Sequence, residues 1–228
     1  ADRSSRRQFI QTAGAATALS AVTIPHVFAK EGGDSDTIQL ALVGCGGRGT
    51  GAAADALYVT NARTKLVAMA DVFQHKMDRS FQAITGEFMS DSGKVNVPPD
   101  QQFIGFDAYK KAMDVLRPGD IVILATPLAF RWVHYQYAIE RGLHVFMEKP
   151  IIAAGPGAKR MLELAKKADE KGIKSAVGLM VRHCRGRQEL HERIQNGEIG
   201  DIVTMRAYRM HGPVGSCFSK RKPDDKQE

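Results

Sequence analysis

Cysteine is scarce in this chain. Cys45, Cys184 and Cys217 are the only three among 228 residues, they lie far apart, and no C-x-x-C pair or neighbouring ligand pattern accompanies them. An odd, scattered set of this kind supports neither a disulfide framework nor a zinc site, so no metal is expected. Blocks of like charge are missing too. The 32 lysines and arginines exceed the 25 carboxylates, for a net charge of +7, but the two signs are interspersed along the chain. Without a basic stripe, a nucleic-acid partner is not expected. There is also no apolar run of membrane-spanning length, since the best stretch, residues 13–27, is broken by Thr, Ser and Pro25. What remains is globular. With 43% hydrophobic residues the chain has material for one full domain and part of a second.

The clearest local signal is a strand, a glycine turn and a helix in succession. Residues 38–43 (IQLALV) form a nearly continuous apolar run, as in a parallel strand buried on both faces. Gly44, Cys45, Gly46, Gly47, Arg48 and Gly49 follow at once and fit G-x-G-x-x-G. The first glycine permits a tight turn, the second lets main chain approach a pyrophosphate, and the third lets a helix pack close to the strand. Ala52, Ala53, Ala54, Ala56 and Leu57 make the next stretch helical, so its first N–H groups face the phosphates. A second apolar strand, 65–70, ends in Asp71, where an acid accepts from a ribose 2′-hydroxyl and repels a 2′-phosphate. NAD is therefore favoured over NADP, with Lys76 and Arg79 nearby standing against that preference.

The alternation continues. Residues 73–88 suit a helix, 89–102 an irregular insertion, 103–106 a short strand, and 107–115 a helix capped by Asp107. A buried strand at 120–125, a helix at 132–141 stopped at Gly142, and a strand at 144–147 complete the set. Repeated units of this length predict an α/β fold with a doubly wound parallel sheet of the Rossmann type. Ligands of such sheets lie beyond the carboxyl ends of the strands, where Gly44, Gly46, Gly47, Arg48, Gly49, Asp71, Thr126, Pro127, Glu148 and Lys149 all fall.

Glu148-Lys149-Pro150 after the strand at 144–147, with Thr126-Pro127 ending the preceding strand, resembles the E-K-P and T-P signatures of the Gfo/Idh/MocA oxidoreductases. The resemblance runs from residue 38 to about 208. It implies that Lys149 lies beside the nicotinamide and hydrogen-bonds the oxygen undergoing hydride transfer, with a cis peptide between Lys149 and Pro150. It also implies a carbohydrate substrate: a sugar, polyol or cyclitol. That role makes chemical sense, because oxidising an alcohol needs a group that steadies its oxygen as the proton leaves. Many members carry a histidine where this chain has Arg131, so Arg131, together with Arg182 after the next strand, is a candidate substrate contact. His134 is expected to pack on its helix. Ala158, Met161, Leu162, Ala165 and Ala168 recur at helical spacing, and 174–179 reads as another strand.

Beyond it, 188–196 reads as the first helix of a second α+β domain, and 201–208 alternates like an open-sheet strand. The division expected is a signal and linker at 1–36, a dinucleotide-binding domain at 37–178, and the start of an incomplete substrate and oligomerisation domain at 179–228. The resemblance implies a homo-oligomer formed through that domain and a D-x-x-x-H general base within it, expected beyond residue 228. The only such spacing here, Asp71 to His75, is a coincidence at the ribose position. Arg6-Arg7 before the weakly apolar stretch 13–27 resembles a twin-arginine export signal, which implies a periplasmic enzyme; an ordinary N-terminal helix and a cytoplasmic location are the alternative. Three functions stay open: an NAD-dependent dehydrogenase, an NAD-assisted glycoside hydrolase, and a non-catalytic nucleotide-binding relative.

Overall fold

The computed structural model describes residues 36–91, 93–208 and 210. The arginine pair and apolar stretch of the expected export signal lie outside the described residues. Six strands form one parallel sheet: β1 (Ile38–Val43), β2 (Thr64–Asp71), β3 (Gln102–Ile104), β4 (Ile121–Leu124), β5 (His144–Met147) and β6 (Ser175–Val177). Their spatial order is β3-β2-β1-β4-β5-β6, which reverses between β1 and β4. This is the doubly wound arrangement the apolar runs predict.

The side-chain period of a strand explains the two layers. Leu40 and Leu42 point to one face, where they meet Leu57 and the alanines of helix α1 (Gly47–Leu57) and Met77 and Ile84 of α2 (Gln74–Glu87). Ala41 and Val43 point to the other, toward α3 (Ala108–Asp114), α4 (Leu128–Glu140) and α5 (Gly155–Glu170). Each fully buried Leu, Ile or Met contributes on the order of 1.5–3 kcal/mol, so the paired runs anchor the sheet from both sides.

Some expectations are corrected. Asp107 sits before α3 but makes no capping hydrogen bond, because its carboxylate pairs instead with Lys110 Nζ at 2.9 Å. On α5 the inward stripe is Met161, Leu164 and Ala168, while Leu162 is 66% exposed. Residues 201–208 have no regular secondary structure and are all exposed, because the alternating pattern finds no strand to pair with among the described residues. The helix before them, α6 (Arg185–Gln195), buries no residue. The insertion at 89–102 contains two 3-10 turns, and Val95 bridges to Leu66 beside β2. Among the described residues no helix is long and apolar enough to cross a membrane.

Candidate active site

The sheet order reverses at β1 and β4, and a cleft of about 610 Å³ opens there beyond the carboxyl ends of the strands. The glycine turn forms its floor. Gly44 has φ +99°, and a Cβ on it would lie 2.8 Å from the main chain of Ala125 and Thr126, so the turns after β1 and β4 touch. A Cβ on Gly49 would lie 1.9 Å from the carbonyl oxygen of Gly44, which is how closely α1 begins against the strand. Gly46 differs: a Cβ there would meet nothing within 4 Å. Its missing side chain answers to no packing need of the protein and leaves main chain bare along the cleft. No side chain caps α1, so its first N–H groups remain available to an anion.

Asp71 closes the β2 end of the cleft. Its Oδ2 accepts from the Cys45 N–H at 2.6 Å and its Oδ1 from the Phe73 N–H at 2.9 Å. The carboxylate therefore tethers the glycine turn, and each oxygen still has a lone pair for a further donor. Lys76 lines the cleft with its Nζ 4.7 Å from the centre of the Phe73 ring; Arg79 does not line it. Cys45 is buried, and burial with the neighbouring charge of Asp71 pushes its thiol up, so it is an unreactive packing group.

The opposite wall joins Thr126, Pro127, Arg131, Glu148 and Lys149. Glu148 is 5% exposed. Its Oε1 accepts from Arg48 Nε at 2.8 Å, and a Cβ on Gly178 would fall 2.6 Å from the same oxygen. Arg131, the expected substrate contact, is turned inward and only 2% exposed. Its guanidinium donates to the Glu148 carbonyl and, at 2.7 Å, to the Thr126 carbonyl, while its Nε has no partner. Burial pulls this guanidinium below its ordinary value, opposed by the charge of Glu148. One turn along the helix, His134 Nδ1 lies 3.1 Å from Thr126 Oγ1. Burial, and then the charge of Arg131, lower its pKa from 6.5 to about 4, so its ring is neutral near pH 7.

Lys149 is exposed and stands in the cleft, and its peptide bond to Pro150 is cis, as the motif implies. Arg182 is exposed and does not line the cleft. Sequence reasoning missed the inward turn of Arg131, although a signal was present. Residues 131, 134, 135, 138 and 139 are the buried positions of α4, so the arginine occupies the apolar stripe of its helix. Four cationic side chains, Arg48, Lys76, Arg131 and Lys149, and two carboxylates, Asp71 and Glu148, line the cleft, an excess of two positive charges. Among the described residues no cluster of three His, Cys, Asp or Glu side chains is placed to hold a metal.

Residues 38–174 match the family model of Gfo/Idh/MocA oxidoreductases, described as an NAD-binding Rossmann fold. The chain belongs to this oxidoreductase family. It is 27% identical over 118 residues to inositol 2-dehydrogenase of Corynebacterium glutamicum (strain ATCC 13032), covering 51% of this chain and 34% of that protein. To D-glucoside 3-dehydrogenase of Escherichia coli (strain K12) it is 33% identical over 107 residues, covering 46% and 30%. The chain thus spans about a third of the length of these curated relatives. The same fold occurs in scyllo-inositol dehydrogenase from Lactobacillus casei, solved with NAD(H) and scyllo-inositol: TM-score 0.53 and 22% identity, over 72% of this chain and 43% of that one.

Proposed function

We propose that this chain is the cofactor-binding part of an NAD-dependent dehydrogenase acting on a sugar, polyol or cyclitol. The observation that carries the reading is the shared cleft: the bare glycine turn, Asp71 and the exposed Lys149 open into one space at the switch point of the sheet. The residues fit a dinucleotide. The bare main chain at Gly46 takes a pyrophosphate, whose two negative charges match the charge excess of the cleft, and Asp71 takes a ribose hydroxyl. When bound, the nicotinamide supplies hydride acceptance and return. Lys149 holds the alcohol oxygen by a hydrogen bond while its proton is lost, and the neutral, inward-bound His134 keeps Thr126 in place instead of exchanging that proton. The relatives named as inositol and glucoside dehydrogenases support this substrate class.

The same reading extends to the whole enzyme. A second domain carries the general base and the contacts of a homo-oligomer, and the arginine pair directs export of a protein that has already enclosed its NAD. An exported enzyme of this kind recycles its cofactor in place, because free NAD is scarce outside the cytoplasm.

Titration of the chain with NADH and NADPH tests the core of the proposal. NADH binds more tightly, and Gly46→Ala weakens it about tenfold, roughly 1.4 kcal/mol, with stability unchanged within about 0.5 kcal/mol. Asp71→Asn narrows the ratio between the two cofactors by about tenfold or more, as expected for a charge-assisted hydrogen bond. No binding of either nucleotide, or a Gly46→Ala variant that binds like the wild type, refutes the reading.

A further inference from the structure

We infer that Arg131 is a positioning residue: from within the wall of the cleft it ties the turn after β4 to the turn after β5 and so sets where Lys149 points, without touching substrate itself. The inference rests on the functional reading above. The last main-chain link between β4 and β5 is the Glu148 N–H to the Leu124 carbonyl at 2.9 Å. Past that point the two chains diverge, one into Thr126-Pro127 and the other into Lys149-Pro150. Arg131 bridges them there, with one arm of its guanidinium on the Thr126 carbonyl and the other on the Glu148 carbonyl. A planar fork with fixed spacing serves two separated acceptors, which a single ammonium cannot do.

Stability does not explain the residue. A buried cation with an unpaired Nε is no more stable than an apolar side chain of similar volume, and the stripe it occupies is otherwise filled by Tyr135, Ala138 and Ile139. Substrate contact does not explain it either, because the side chain is only 2% exposed, each terminal nitrogen is turned onto a main-chain carbonyl and the remaining nitrogen is buried. The surroundings agree with a geometric role. Glu148 is held at its carboxylate by Arg48 and at its carbonyl by Arg131, and Thr126 is held at its carbonyl by Arg131 and at its hydroxyl by His134. Lys149, the next residue after Glu148, is itself exposed, so its direction is inherited from these neighbours.

The test compares Arg131→Lys and Arg131→Gln with the wild type in the whole enzyme. Both variants lower kcat about tenfold to a hundredfold, while KM for the polyol and Kd for NADH stay within about threefold. Amide hydrogen exchange, measured without nucleotide, accelerates roughly tenfold over residues 146–152 and stays unchanged over 38–71. A raised KM at constant kcat would mark a substrate contact and overturn the inference. So would unchanged exchange at 146–152, or acceleration spread evenly through β1 and β2. If Arg131→Gln does not fold, Arg131→Lys, which keeps the charge, decides alone. If the wild type oxidises no polyol, the functional reading falls, and the exchange comparison still decides the role of Arg131.

Discussion

The two ends of the parallel sheet each bury a carboxylate beside arginine, and they are built on opposite terms. At the amino ends of the strands, Asp120 is 5% exposed and fully engaged. Its Oδ1 accepts from the Gln39 N–H at 2.9 Å, and its Oδ2 from the Arg117 N–H at 2.8 Å and Nε at 3.1 Å. Arg117 reaches on to the Thr37 carbonyl at 2.8 Å. At the carboxyl ends, Glu148 is as deeply buried, yet its surroundings leave polar capacity over: an exposed Lys149 and bare main chain at Gly46. A cluster whose donors and acceptors are matched holds the fold together. One with donors to spare is shaped for something that is not part of the chain.

Lys149→Ala should break the comparison most sharply. Turnover in the whole enzyme falls about 10²- to 10⁴-fold, the usual span for losing a group that assists proton transfer, while NADH affinity holds within a few fold. Its thermal midpoint stays near that of the wild type, because an exposed side chain supports little packing. An equal loss of NADH binding would assign Lys149 to the cofactor instead of the reacting oxygen.

The converse substitution is Asp120→Ala. It leaves the N–H groups of Gln39 and Arg117 without their acceptor and costs about 3 kcal/mol, the low end for a broken buried pair because Arg117 is 45% exposed at its side chain. Urea unfolding measures the loss, and NADH affinity of the folded fraction is unchanged. A large change in affinity at constant stability would show that the two ends are not separate in role.

The smallest effect belongs to pH. The folded-state pKa of His134, about 4, lies below its unfolded value of 6.5, so the unfolded chain binds the proton more readily in between. The neutral ring's contribution is present above pH 6.5 and is lost as pH falls toward 4. That amounts to about 2 kcal/mol between pH 7 and pH 5. His134→Gln should flatten this part of the stability profile. If wild type and variant lose stability in parallel, the ring is not held neutral by its burial and by Arg131.

Much of this molecule is legible in local pattern. The runs at Ile38–Val43 and His144–Met147 are strands to the residue, because a strand covered on both faces must be apolar over nearly its whole length and is bounded by the turns it feeds. Gly44 and Gly49 declare themselves for a similar reason: each position excludes any side chain by contact with a neighbour a few residues or one strand away. Asp71 and Lys149 are placed by their distance from those runs. The alternation at 201–208, just as regular on paper, forms no strand, since a strand exists only when another is present to pair with it.

The layering of the sheet, the glycine turn and which strand ends carry the polar residues were all readable before folding, since they follow from periodicities of two and 3.6 and from steric limits on single residues. What those residues do to one another came from the packing of distant segments. Arg48 meets a carboxylate 100 positions away, Arg131, expected at the substrate, turns inward onto main-chain carbonyls, and Asp71 takes the N–H of Cys45. These links depend on where separate crossovers bring their ends, and no local pattern carries that distance.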